Sequence, residues 1–214
     1  MHAGYVDRLP FVDDTSERPQ TTKVYFLTQK GADFIEYPGA ALSTSSKYIL
    51  RHDIQIVQFH IALKRWAEKH NLILYWHEPL MDRQKAIIPD AYFGLQDLSK
   101  PPGHNTLHYF LEMERAKIGN YVNGEPSIVR KLAKYYDLYD TDECEKEWGF
   151  RKFRIITVVR TSEKQINLCG RLKDSYAHRM FWVTNEHAVK ENVGGDIFTT
   201  PKDYAKALYS LSNP

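Results

Sequence analysis

The stretch LHYFLEME, residues 107–114, is an apolar and aromatic run that ends on two glutamates. Its composition and length predict a β-strand, in which side chains two residues apart point to the same face of a sheet. Glu112 and Glu114 therefore share one face, while Met113 points to the other. An earlier run, AIIPDAYFGL at residues 86–95, predicts a neighbouring strand in which Pro89 marks an irregularity.

The elements on either side of these strands predict a mixed central sheet flanked by helices. Apolar residues at steps of three or four from Ile56 to Trp66 predict a helix that Asp53 caps and that ends near residue 69. The other predicted elements are strand 72–78, a helix from Pro126 to about residue 140, strand 153–159, a helix near 162–173, strand 180–184 and a last helix from Thr200 to about Leu211. This order is typical of an α/β fold, with strand 153–159 expected at the buried centre.

Residues 1–47 predict a separate small unit, and residues 48–214 predict the main domain. A polar turn joins residues 9–12 to the β-prone run 22–27, and Thr28 then predicts the N-cap of a short helix. Small and turn-forming residues at 37–47 (YPGAALSTSSK) predict a linker.

Composition excludes several classes of protein. Among 214 residues, 29 lysines and arginines against 27 acidic residues give a net charge of +2, so a nucleic-acid partner would need a local basic patch. No run approaches the ~20 apolar residues of a membrane span, and the N-terminus lacks the pattern of a signal peptide. Cys144 and Cys169 form no CxxC pair, which predicts a reduced, cytoplasmic setting without disulfides or zinc.

Three carboxylates are predicted to converge where the two quoted strands pair. Asp90 would lie beside Glu112 and Glu114 at that point. Like charges so close repel one another unless a cation sits among them, and oxygen ligands suit Mg²⁺ or Mn²⁺. Such an ion activates water and neutralises phosphate charge during phosphodiester cleavage. The plain alternative is a solvated strand face, where charged residues usually lie.

These residues also carry a resemblance to a known superfamily. Pro89-Asp90, Glu112-x-Glu114 and a helical Lys131 resemble the PD-(D/E)xK fold of restriction endonucleases, although Glu114 stands where that motif has lysine. Within the superfamily the chain is similar to the replication-relaxation family, which includes MobC-type plasmid relaxases. The matching segments are LTQKGA (27–32), His52-Asp53, Trp76-x-Glu78, PDAYF (89–93), LEMER (111–115) and KLAKYY (131–136).

The resemblance implies a metal-dependent DNA endonuclease that nicks plasmid origin or transfer DNA. It also implies that residues 1–47 hold the hairpin and helix of a partial winged helix, and that residues 48–214 form the nuclease domain. A homodimer or relaxosome-like partner proteins would be compatible with this reading. The implied site residues are Asp90, Glu112 and Glu114 as ligands of Mg²⁺ or Mn²⁺, Lys131 as the group that orients water or stabilises phosphate charge, and Glu78 and His52 as accessory groups. For His52, a hydrogen bond at the start of a helix is the alternative.

Basic residues interleaved with aromatics predict a DNA-binding patch, since such clusters contact phosphates and stack on bases. The patch comprises Arg151, Lys152, Arg154 and Arg160. No His-x-His motif occurs, so metal-activated water is preferred over a tyrosine nucleophile. Two other functions remain open: a non-catalytic DNA-binding replication or transcription regulator, which Glu114 in place of lysine favours, and a protein-interaction domain.

Overall fold

The computed structural model describes residues 5–13, 20–36, 47–77, 87–114, 121–122, 125–141, 143–176, 178–203 and 208–211. The chain divides into two compact units, residues 1–50 and residues 51–214.

The first unit contains a β-hairpin followed by a short helix, as predicted. Strand β1 (Val6–Asp13) pairs antiparallel with β2 (Gln20–Leu27), and α1 spans Gln29–Phe34. Thr28 caps α1 by accepting a 3.2 Å hydrogen bond from the Gly31 amide. A Cβ on Gly31 would lie 2.0 Å from the Tyr5 carbonyl oxygen, so this close approach requires glycine. The predicted linker lies largely outside the described residues.

The second unit is built on a five-stranded mixed sheet with the order β3-β4-β5-β8-β9. The first three strands are antiparallel neighbours, while β5, β8 and β9 run parallel. The elements are α2 (Lys47–Lys69), β3 (Ile73–His77), β4 (Ala91–Gln96), β5 (Thr106–Met113), the two-residue strands β6 (Tyr121–Val122) and β7 (Glu125–Pro126), α3 (Ser127–Tyr139), α4 (Glu143–Trp148), β8 (Arg154–Val159), α5 (Ser162–Ser175), β9 (Phe181–Asn185) and α6 (Glu186–Asn192).

Each face of the sheet carries its own apolar core because side chains alternate along the strands. Leu111 and Met113 of β5 pack with α2 on one face, in a cluster that also holds Phe59 and Leu63. Phe110, two residues before Glu112, packs with α3 and α5 on the opposite face. Glu112, which is two residues from Phe110, therefore points to the face that α3 and α5 cover.

Several boundaries and positions differ from those predicted. Helix α2 begins at Lys47, so Asp53 lies inside the helix instead of capping it. No glycine or proline interrupts residues 47–53, which lets the helix extend upstream. The strand predicted at the centre of the sheet, β8, lies next to the central strand, which is β5. Pro89 precedes β4 and does not interrupt it.

The predicted helix after Thr200 is wrong in the part of this segment that the structure describes. Phe198 and Tyr209 form an antiparallel bridge, with amide-to-carbonyl distances of 3.1 and 2.8 Å. The Thr200 hydroxyl accepts from the Asp203 amide at 3.1 Å, which is the contact of an N-cap, but residues 201–203 form a bend and a turn and residues 208–211 are not helical. Two short helices, α4 and α6, were not predicted, although Asn185 is an N-cap that accepts from the Ala188 amide.

None of the helices in the described part of the chain has the length and apolar character needed to cross a membrane.

Candidate functional site

The candidate site lies where the start of β4 meets the C-terminal end of β5. The Asp90 amide donates to the Leu111 carbonyl at 3.0 Å, and Ala91 pairs with Leu111 in the antiparallel ladder. The Asp90 carboxylate then accepts a 2.7 Å hydrogen bond from the Met113 amide. Pairing of these two strands thus brings Asp90 beside the end of β5, as the sequence predicts.

Glu112 is a buried carboxylate held by two donors from α3. Its side chain is only 2% exposed. Lys131 Nζ lies 2.5 Å from Oε2, and the Tyr135 hydroxyl donates to Oε1 at 2.7 Å. Residues four apart on a helix share one side of it, which explains why Lys131 and Tyr135 both reach Glu112. Lys131 therefore lies beside the carboxylate with which the sequence associates it.

His52 reaches the site from the opposite face of the sheet. It lies on α2 and is buried, with Nε2 at 3.1 Å from Asp90 Oδ2 and Nδ1 at 3.2 Å from Asp53 Oδ1. His52, which was predicted as an accessory residue, thus lies next to Asp90 in the structure. Asp90 and Glu112 are consequently supported by different helices, one on each face of the sheet.

The surroundings move the pKa values of the two carboxyl groups in opposite directions. Burial, together with the negative charge of Asp90, raises the pKa of Glu112 to about 7 against the attraction of Lys131 and its hydrogen bonds to Lys131 and Tyr135. Burial also opposes ionisation of Asp90, but contact with His52, the charge of Lys131 and the Met113 amide together lower its pKa. At neutral pH, Asp90 is ionised while Glu112 is near its midpoint.

Two carboxylates that repel one another in this way form a donor set suited to a hard divalent cation. Mg²⁺ is usually bound by one or two carboxylates, with water and substrate phosphates completing its shell. A carboxylate offers about four lone-pair positions, so Glu112 keeps acceptor capacity beyond its bonds to Lys131 and Tyr135. By their chemistry, Asp90 and Glu112 could hold Mg²⁺ or Mn²⁺ as two protein ligands.

Glu114 is directed to a different partner. Its carboxylate lies 3.1 Å from Lys164 Nζ, and its amide donates to the Val158 carbonyl at 2.9 Å. Within the described ranges, no three or more histidine, cysteine or acidic side chains are grouped as metal ligands. The structure therefore does not show the expected convergence of three carboxylates, because Lys164 holds the third, and the role of Glu114 as a ligand stays a prediction.

The predicted DNA-binding residues are divided between the two ends of the sheet. Arg151 and Lys152 are exposed before β8, and the Arg154 guanidinium lies 5.1 Å from the centre of the Trp182 ring. Since Arg154 pairs with Tyr109 in a parallel ladder, it lies at the end of the strands away from Glu112. Arg160 follows β8 at the site end. Glu78, the other accessory candidate, lies outside the described residues.

Three residues near the carboxylates were not assigned to the site from the sequence. Tyr135 lies four residues after Lys131 and therefore on the same side of the helix, so the sequence could have assigned it to the site. Lys164 is fifty positions beyond Glu114, and no local pattern connects them. Thr157 pairs with Glu112 in the ladder and is 1% exposed, and its hydroxyl has no hydrogen-bond partner among the described residues.

The raised pKa of Glu112 predicts a pH-dependent stability for the metal-free protein. Protonated Glu112 stabilises the fold relative to a glutamate with the ordinary pKa of 4.5, and this contribution is lost as pH rises through about 7. In urea denaturation, we expect wild-type protein to lose on the order of 1–3 kcal/mol relative to Glu112→Gln between pH 5 and pH 8.5.

Glu145→Gln is the matched control, because Glu145 is exposed on α4. Its difference in stability from wild type should stay constant over the same pH range. A constant difference for Glu112→Gln as well would show that Glu112 titrates as an ordinary carboxyl group.

Comparison with known proteins identifies one family. The family model described as replication-relaxation matches residues 2–152, more than two thirds of the chain. The match includes Asp90, Glu112 and Lys131, and it ends before Lys164. No curated protein and no solved structure gives a significant match.

Proposed function

This chain belongs to the replication-relaxation family, and from that premise we propose that it is a Mg²⁺- or Mn²⁺-dependent endonuclease that nicks plasmid or mobile-element DNA. The family indicates a role in plasmid replication or relaxation. One observation carries the finer proposal: Asp90, Glu112 and Lys131 lie together at the C-terminal end of β5, the central strand.

The order of elements supports a restriction-endonuclease-like fold for the second unit. An antiparallel β3-β4-β5 meander continues into parallel β8 and β9, and helices lie on both faces. The aspartate precedes one strand, the glutamate ends the next, and the lysine comes from the helix that follows. The hairpin and capped helix of the first unit are compatible with the end of a winged helix.

In the proposed site, Asp90 and Glu112 would hold the cation. When bound, such an ion lowers the pKa of a water ligand and neutralises charge on the phosphate. Lys131 has three N–H donors and uses one for Glu112, which leaves two for a phosphate oxygen where negative charge develops. A preorganised donor of this kind stabilises the transition state without reorganisation during the reaction.

His52 and Tyr135 would act as positioning residues. Each lies within 3.1 Å of one of the two proposed metal ligands, and both are buried. Such partners fix the orientation of a ligand, and their loss typically lowers metal affinity or activity about 10- to 100-fold.

The proposal is tested by incubating purified protein with supercoiled plasmid and following conversion to the open-circular form on a gel. We expect nicking with Mg²⁺ or Mn²⁺ and none after chelation with EDTA, with recovery when the ion is restored. Nicking that persists in EDTA would exclude the proposed use of a divalent cation.

A second candidate is a non-catalytic DNA-binding regulator that kept the fold. Two observations favour it: Glu114 occupies the position of the usual lysine, and both oxygens of Glu112 already accept hydrogen bonds from the protein. This function predicts salt-sensitive DNA binding without metal-dependent nicking, and binding that is unchanged in Asp90→Asn. A cytoplasmic location, a homodimer and relaxosome-like partners stay predictions under both candidates.

A further inference from the structure

Two glutamate–lysine pairs lie along one face of β5. Glu112 holds Lys131 from α3, and Glu114 holds Lys164 from α5, with Nζ-to-oxygen distances of 2.5 and 3.1 Å. Both lysines stay in contact with solvent, with side chains 30% and 38% exposed. One pair follows the other along the strand, because Glu112 and Glu114 are two residues apart on the same face.

We propose that Lys164 is a second phosphate-binding residue, which contacts the nucleic-acid phosphate adjacent to the one at Asp90, Glu112 and Lys131. This inference rests on the proposed function, since it requires a nucleic-acid strand at the site. It assigns Glu114 to holding Lys164 in place, and so gives a physical reason for a glutamate at the position where the resembling motif has lysine.

The chemistry of the pair suits this role. An ammonium group has three N–H donors, and Glu114 takes only one of those of Lys164. Lysine binds phosphate as a point charge, so the remaining donors do not require one fixed geometry. The two glutamates are separated by roughly 6.6 Å along the strand, and each holds its own lysine, so the two ammonium groups follow one another along this face of the strand.

The start of α5 fixes the position of Lys164. Thr161 is the N-cap of this helix, and its hydroxyl accepts from the Lys164 amide at 3.3 Å. Lys164 therefore lies in the first turn, directly after β8 ends at Val159. Arg160, between the strand and the cap, adds a second positive charge at the same end of the sheet.

The test is DNA binding measured by fluorescence anisotropy over a series of salt concentrations, in EDTA so that no cleavage occurs. The probes are a labelled single-stranded oligonucleotide and its duplex. The slope of log K against log salt is negative. Loss of one phosphate contact should reduce its magnitude by about 0.7 for the single strand or about 0.9 for the duplex. We expect this reduction for Lys164→Gln, whereas Lys164→Arg should keep the wild-type slope.

Lys173→Gln is the matched control because it removes the same charge from the same helix. Lys173 is exposed and lies nine residues beyond Lys164, which at 3.6 residues per turn puts it on the opposite side of α5. Its slope should equal that of wild type. Thermal melting shows whether each variant is folded, so that a change of slope caused by unfolding can be recognised.

The outcomes separate this inference from the proposed function. A wild-type slope for Lys164→Gln, or an equal loss in Lys173→Gln, would overturn the role of Lys164 while DNA binding itself stands. An absence of salt-dependent binding by the unaltered protein would overturn the proposed function, and this inference with it.

Discussion

Glu112→Gln protein is expected to lose metal-dependent nicking of supercoiled DNA by more than about 100-fold. Changes to residues that only support a metal ligand cost about 10- to 100-fold, and Glu112 is proposed as a ligand itself. The substitution keeps the shape of a side chain that is 2% exposed and retains an oxygen for the Tyr135 hydroxyl, so the protein should still fold. Plasmid nicking with saturating protein measures the loss.

Two further measurements identify the cause of that loss. Calorimetric titration with Mn²⁺ should show weaker binding to Glu112→Gln, while binding of DNA in EDTA should persist. Glu145→Gln, which changes an exposed glutamate on α4, should match wild type in both. Nicking by Glu112→Gln at the wild-type rate would show that the site is assigned to the wrong residue.

Lys131→Gln is expected to lower kcat by about 10²- to 10³-fold, the range observed when a single preorganised donor to a developing negative charge is removed. A second effect follows from the pair with Glu112. The charge of Lys131 lowers the pKa of Glu112, so its loss should raise that pKa. Because cation binding requires ionised Glu112, the pH–rate profile should move to higher pH.

The shift of the pH profile separates a chemical role from a structural one. Arg130→Gln removes a neighbouring positive charge from the exposed side of α3 and should change neither kcat nor the profile. If Lys131→Gln lowered kcat with no shift of the profile, its contact with Glu112 would have no part in the protonation of that carboxyl group. If kcat were unchanged, Lys131 would have no role in cleavage.

Local patterns in the sequence predicted most of the elements that build the site. Alternation along residues 107–114 placed Glu112 and Glu114 on one face of a strand, and the structure forms that strand at Thr106–Met113. The 3.6-residue period of residues 126–140 predicted the helix that carries Lys131, and the family resemblance associated this lysine with the site. Such periods arise from backbone geometry, and burial of one face makes them visible in the sequence.

Contacts between elements distant in the chain required the tertiary structure. The pairing of Glu114 with Lys164 depends on the crossover from β5 to β8 and on where Thr161 starts α5. Likewise, the contact of His52 with Asp90 depends on the packing of α2 on the face of the sheet opposite to α3.

The sequence by itself determined the strands, the helix periods and the types of residue at the site, because these follow from short-range backbone geometry and side-chain chemistry. Only the tertiary structure decided which lysine pairs with which glutamate and which carboxyl group is buried enough to hold its proton near pH 7. Those properties depend on packing from both faces of the sheet, and no local period encodes that packing.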